Sequence, residues 1–142
     1  MLEHPETANP WGDEQSPYIE IGGNEEVRQL AETFYDRIEA DSPSLRAILP
    51  KNTSKTREKF FMFLTGWLGG PPLYEMKWGH PQLRRRHFPF TIGEHEAQEW
   101  MRCMRAAMSD VGISDPLRTF LDTRFDDLAQ HMRNTETVPP AP

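Results

Sequence analysis

The sequence predicts an all-α protein built as one domain. Apolar residues recur at helical spacing along most of the chain, glycine and proline cut it into helix-length pieces, and no alternating run is long enough for a strand. At 142 residues the chain fits one domain. A domain of this size can bury roughly 70% of its unfolded surface, enough for one core and one enclosed cofactor.

The elements follow in order. Residues 1–16 mix Pro, Glu, Asn and Gly without periodicity, and residues 135–142 hold three prolines in their last four positions. Both read as flexible tails, with Trp11 as a residue that can dock; the ordered domain is 17–134. Asn24 can cap a helix whose face is Val27, Leu30, Ala31, Phe34, Tyr35 and Ile38. Asp41-Ser42-Pro43 ends it and starts a short helical piece, with Ser42 as cap and Pro43 in the first turn, stopped by Pro50. A second long helix starts near Ser54, with Thr56, Phe60, Phe63, Leu64 and Trp67 on one face, and Gly69-Gly70-Pro71-Pro72 stops it. Residues 73–79 read as irregular, and His80-Pro81 opens a short helix through Leu83 and His87 to Pro89. A third long helix covers 94–111, with Ala97, Trp100, Met101, Met104, Met108 and Val111 aligned and Gly112 as terminator. Asp115-Pro116 starts the last helix, whose buried face is Leu117, Phe120, Leu121, Phe125, Leu128 and Met132.

Charge and composition exclude several classes. Sixteen basic against 22 acidic residues give a net charge of −6, the wrong sign for nucleic acid or an anionic membrane surface. The chain is 27% charged with a mean hydropathy of −0.72, so its apolar residues must be gathered on faces. The single Cys103 can form no internal disulfide and excludes a cysteine-rich zinc site, which suits a reducing cytoplasm. The first residues carry neither a basic nor an apolar stretch of a signal peptide, and residues 60–68 are too short to span a bilayer.

Among the five histidines, His4, His80, His95 and His131 sit in tail, helix-start or charged settings that need no ligand. His87 differs: it follows Arg84-Arg85-Arg86 and precedes Phe88-Pro89-Phe90. A haem needs one neutral imidazole for its iron, apolar walls, and cations for two propionates. This segment supplies imidazole and cations together, and Phe60, Phe63, Leu64, Trp67, Phe90, Trp100 and Met104 are available as walls. On the residues alone, a satisfied core histidine, an ordinary aromatic core and a small phosphate patch at the arginines all stay open.

The run Phe63-Leu64-Thr65-Gly66-Trp67-Leu68-Gly69-Gly70-Pro71-Pro72-Leu73-Tyr74 is followed by Gly79-His80-Pro81-Gln82-Leu83-Arg84-Arg85-Arg86-His87-Phe88-Pro89-Phe90. Together with Phe34-Tyr35, the segment Ala97-Gln98-Glu99-Trp100-Met101-Arg102-Cys103-Met104 and His131-Met132-Arg133-Asn134, these runs resemble the group II truncated haemoglobins over about residues 17–134. The resemblance implies a truncated, two-over-two globin-like helical sandwich enclosing haem b, with His87 as proximal iron ligand. It places Tyr35 and Trp100 on distal positions, Arg84 and Arg86 near the propionates, and Gly22-Gly23 and Gly69-Gly70 on the family's glycine pairs. In the family, Leu49 falls on a distal position usually Tyr, Phe or His, Thr56 on one usually held by a small residue, and Phe60 on one often Leu or Gln, so the expected pocket is drier than usual. The implied function is reversible binding of dioxygen, carbon monoxide or nitric oxide, with oxygen transport as one use. The alternative is peroxidase-like or nitric oxide dioxygenase turnover. The sequence has no Gly-x-Gly-x-x-Gly loop for flavin or nicotinamide, so any reductase is a separate protein. A monomer or homodimer is expected.

If His87 holds the iron, His87→Ala should purify largely haem-free, or should recover its spectrum when imidazole is added. An unchanged Soret band in that variant would refute the assignment.

Overall fold

A computed structural model describes residues 10–11, 15–80 and 92–133. The expected helix at 80–87 falls almost wholly outside them, as do most residues of the two tails. Seven helices are formed among the described residues: α1 (Pro17–Ile21), α2 (Asn24–Asp41), α3 (Pro43–Ala47), α4 (Ser54–Trp67), α5 (Leu73–Trp78), α6 (Glu94–Asp110) and α7 (Leu117–His131). The described residues contain no strand. None of their helices is long and apolar enough to cross a membrane.

Helix boundaries follow local chemistry. The α1 helix starts where the Ser16 hydroxyl accepts the Ile19 amide, with Pro17 in the first turn. The cap of α2 shifts by one residue from expectation: Gly23, at φ 90°, takes the cap position and Asn24 is already helical. At α3 the expected capping bond is missing, because the Ser42 hydroxyl donates to Glu99 Oε1 at 2.9 Å instead. Gly112, at φ 81°, closes α6 as expected, with the Ile113 and Gly112 amides returning to the Met108 and Ser109 carbonyls. Asp115 lies just outside α7 and accepts both the amide and the hydroxyl of Thr119.

The stretch expected to be irregular contains α5. Pro71-Pro72 reads as a stop for α4, yet proline is equally suited to the position just before a new helix. Tyr74 is the one buried residue of α5 and Met76 is exposed, so no helical period was visible there.

Two helix pairs make the sandwich: α2 packs on α4 and α6, and α6 packs on α7. Val27, Leu30 and Phe34 of α2 meet Leu64 of α4, Met104 and Met108 of α6, and Leu121 and Phe125 of α7 in one cluster, all essentially inaccessible. The face expected for α7 is buried in full, and Trp11 docks edge-on against its Phe120 at 5.2 Å.

The turn after α4 depends on close approach. The Tyr18 amide donates to the Leu68 carbonyl at 2.8 Å, bringing α1 against the end of α4. A Cβ on Gly70 would stand 2.7 Å from the Tyr18 ring and 2.9 Å from the Thr65 carbonyl oxygen. Gly70→Ala should therefore destabilise the fold by about 1–3 kcal/mol, as overpacked sites do. Urea unfolding checks this, and a variant as stable as the parent would show that α1 can move away freely.

Candidate functional site

Between α2, α3 with its following turn, α6 and α7 lies a cavity of about 80 Å³ that opens to solvent. From α2 it receives Phe34, Tyr35 and Ile38, and from the α3 region Leu45, Ile48 and Leu49. Ile92, Glu96, Ala97 and Trp100 line it from the start of α6, and Ala129 and Met132 from the end of α7.

Ser42 explains how the α3 region is held over this space. The residue is 1% exposed, and its bond to Glu99 pins the α2–α3 corner onto α6. Arg102 reinforces the corner by donating to Glu99 Oε1 at 2.7 Å and to the Asp41 carbonyl at 2.8 Å. Leu45, Ile48 and Leu49 follow directly from this anchored corner.

The polar groups at the cavity are few. Tyr35 is 8% exposed, and its hydroxyl forms no hydrogen bond among the described residues. Burial pushes the phenol pKa well above its ordinary value, and the nearby Arg57 cation only partly offsets this. Tyr35 therefore stays neutral and keeps its O–H as a donor. The Trp100 indole N–H likewise has no partner among the described residues. Glu96 is engaged, accepting the Gly93 amide at 2.8 Å.

An aromatic row runs along α4 beside the cavity. Phe60 stands edge-on to Tyr35 at 5.6 Å and to Trp100 at 6.3 Å. Phe63 stacks on Phe60 at 6.4 Å, Trp67 on Phe63 at 6.3 Å, and Phe125 on Trp67 at 5.0 Å. Phe63 and Trp67 also line a second cleft of about 130 Å³ toward α5.

Of the residues singled out from sequence, Tyr35, Leu49 and Trp100 meet in the cavity and Phe60 abuts two of them. Phe63 and Trp67 belong to the adjoining cleft. Leu64 and Met104 lie in the packed core at 0% exposure, and Thr56 is half-buried in the first turn of α4. Arg84, Arg86, His87 and Phe90 lie outside the described residues. His80, His95 and His131 are exposed, and no group of metal-ligating side chains occurs among the described residues. Ile48, Ile92, Glu96 and Met132 were not anticipated at the site. The one local signal was Glu96 three residues after Gly93, which marks a helix start rather than a pocket.

An apolar, aromatic-walled cavity with one phenol O–H and one indole N–H suits the flat apolar body of a haem and a small polar ligand beside it. In the chemistry of their side chains, the described lining residues fit the group that the sequence motif implied.

The profile of the bacterial-like globin family matches residues 16–134. The chain is 45% identical over 119 residues to the group 2 truncated hemoglobin of Bacillus subtilis, covering 84% of this chain and 89% of that protein. The group II truncated hemoglobin structure of Bacillus anthracis superposes with a TM-score of 0.85 at 39% identity, covering 90% of this chain and 98% of that one. A structure described as the truncated oxygen-avid haemoglobin of Bacillus subtilis gives a TM-score of 0.80 at 45% identity, covering 84% and 100%.

The Ser42–Glu99–Arg102 corner generates a pH prediction. The Glu99 carboxyl is pulled down to about 2, chiefly by the Arg102 hydrogen bond, against burial and with help from the Ser42 hydroxyl. Its folded pKa lies below the unfolded value of about 4.3, so its stabilisation is present above that pH and is lost as pH falls toward 2. Glu99→Gln should therefore flatten the acid dependence of stability in this window. Urea midpoints measured across it would count against the corner if variant and parent showed the same slope.

Proposed function

The chain belongs to the bacterial-like globin family and, within it, to the group II truncated haemoglobins, and we propose that it holds one haem b and reversibly binds dioxygen. When bound, haem supplies an iron centre able to take dioxygen, carbon monoxide or nitric oxide. The protein's part is to hold the group, exclude water and place donors. In this reading His87 would supply the imidazole that holds the iron, while Arg84 and Arg86 would pair with the propionates by charge-assisted hydrogen bonds. With Cys103 alone, the chain has no Cys-x-x-Cys-His segment for covalent attachment, which supports a non-covalently held group such as haem b.

The observation that carries the proposal is Tyr35, a buried and neutral tyrosine at an apolar cavity whose hydroxyl has no hydrogen-bond partner among the described residues. The Tyr35 O–H would favour dioxygen, the more polar ligand, over carbon monoxide, the less polar one. Leu49 lines the cavity and Phe60 abuts Tyr35, so few donors share the task. The oxygen-avid description of the Bacillus subtilis structure supports a ligand-retaining site.

Visible spectra of the purified protein under air, carbon monoxide and reducing conditions test the function, with a stable oxygenated form expected. Rapid oxidation with turnover on peroxide or nitric oxide would favour the enzymatic alternative instead. For Tyr35→Phe, loss of a hydrogen bond worth about 1.5–3 kcal/mol should speed dioxygen release roughly ten- to a hundredfold, and carbon monoxide release far less. Stopped-flow release of both gases reads this. Unchanged dioxygen release would transfer the donor role to Trp100.

A further inference from the structure

We propose that Arg57 is a positioning residue for Tyr35, and through it sets how strongly the site discriminates dioxygen from carbon monoxide; this rests on the Tyr35 donor reading above.

Nothing among the described residues holds the Tyr35 hydroxyl, so the position of its oxygen is set by what packs around the ring. Three groups do so. Phe34 meets it at 5.2 Å and 70°, Phe60 at 5.6 Å and 85°, and the Arg57 guanidinium carbon lies 5.8 Å from the ring centroid. The two phenylalanines belong to the core in any case. Arg57 is the charged member, and it is fixed far more tightly than a surface arginine needs to be.

Its Nε donates to Thr53 Oγ1 at 3.0 Å. One terminal nitrogen donates to the Glu32 carbonyl at 3.1 Å and to Glu32 Oε1 and Asp36 Oδ1, both at 2.8 Å. The other donates to Glu39 Oε2 at 2.9 Å, an oxygen that also accepts the Thr53 hydroxyl at 2.7 Å. The side chain is only 15% exposed. Glu32, Asp36 and Glu39 lie at i, i+4 and i+7 on α2, so one cation bridges a stripe of three like charges next to Tyr35. An exposed ion pair would contribute little stability. A half-buried planar fork with all its directions used fixes geometry instead. A cation beside the ring also favours charge on the phenol oxygen, which strengthens the O–H as a donor. Both effects act through Tyr35.

The test is a double-mutant cycle on the haem-loaded protein. Arg57→Met should speed dioxygen release roughly three- to tenfold, with little change for carbon monoxide, and the same substitution in the Tyr35→Phe background should change dioxygen release by less than about twofold. Arg57→Lys, which keeps the charge and loses the fork, should fall between. A second readout is independent of ligand kinetics: the NMR ring-flip rate of Tyr35, assigned by its loss in Tyr35→Phe, should rise in Arg57→Met. Equal acceleration in both backgrounds would mean general loosening and would overturn the proposal, as would unchanged release with an unchanged flip rate. If Tyr35→Phe alone leaves dioxygen release unaltered, the donor reading fails and this inference falls with it. If Tyr35→Phe is fast and Arg57→Met is not, only the role of Arg57 is refuted.

Discussion

Phe34 is the contact on which the rest of the packing turns. It is 1% exposed and meets Tyr35, Phe60 and Trp100 at 5.2, 5.3 and 5.0 Å. One ring therefore joins α2, α4 and α6, and the same ring forms part of the cavity wall. A short chain lacks the material for a core and a separate site, so its site is one face of its core. Packing density near 0.75 leaves little slack there, and a displaced Phe34 would move the neighbouring tyrosine and tryptophan together.

The charged residues complement this arrangement from outside. Arg28 reaches Glu58, Arg37 forks onto Asp110, and Arg105 forks onto Asp122, each joining a pair of helices that already pack together. Singly such exposed pairs add little to stability. They do settle which helix faces meet, since each fork accepts a carboxylate in only a narrow set of orientations. An acidic chain with comparatively few cations can therefore spend most of its described arginines on helix-to-helix registration.

Much of the fold was legible because it rests on local periodicity. The faces of α2, α6 and α7 could be read from residue spacing, and Gly112 and Gly69-Gly70 announce their turns. What escaped depends on contacts distant in sequence. Ser42 looks like a helix cap and is instead bound to Glu99, and Arg57, which no spacing singles out, is clasped by α2. Leu64 and Met104 carry the right chemistry for a cavity wall but point into the core, because apolar spacing says which face is buried and not what it is buried against. Ile92 and Met132 reach the cavity only once the two helix pairs are stacked, and Ile48 only once the α2–α3 corner is pinned to α6.

The protonation of Tyr35 has a consequence for behaviour in changing surroundings. A donor made from imidazole gains or loses a proton within the range that living cells traverse, and ligand retention would vary with it. Here the candidate donor is a phenol whose ionisation is driven upward by burial, and the cation beside it is a guanidinium that never releases its proton under such conditions. A grip on ligand exerted through this pair would be indifferent to acidification. Its strength would be written into the packing of α2 and α4 rather than adjusted by the medium.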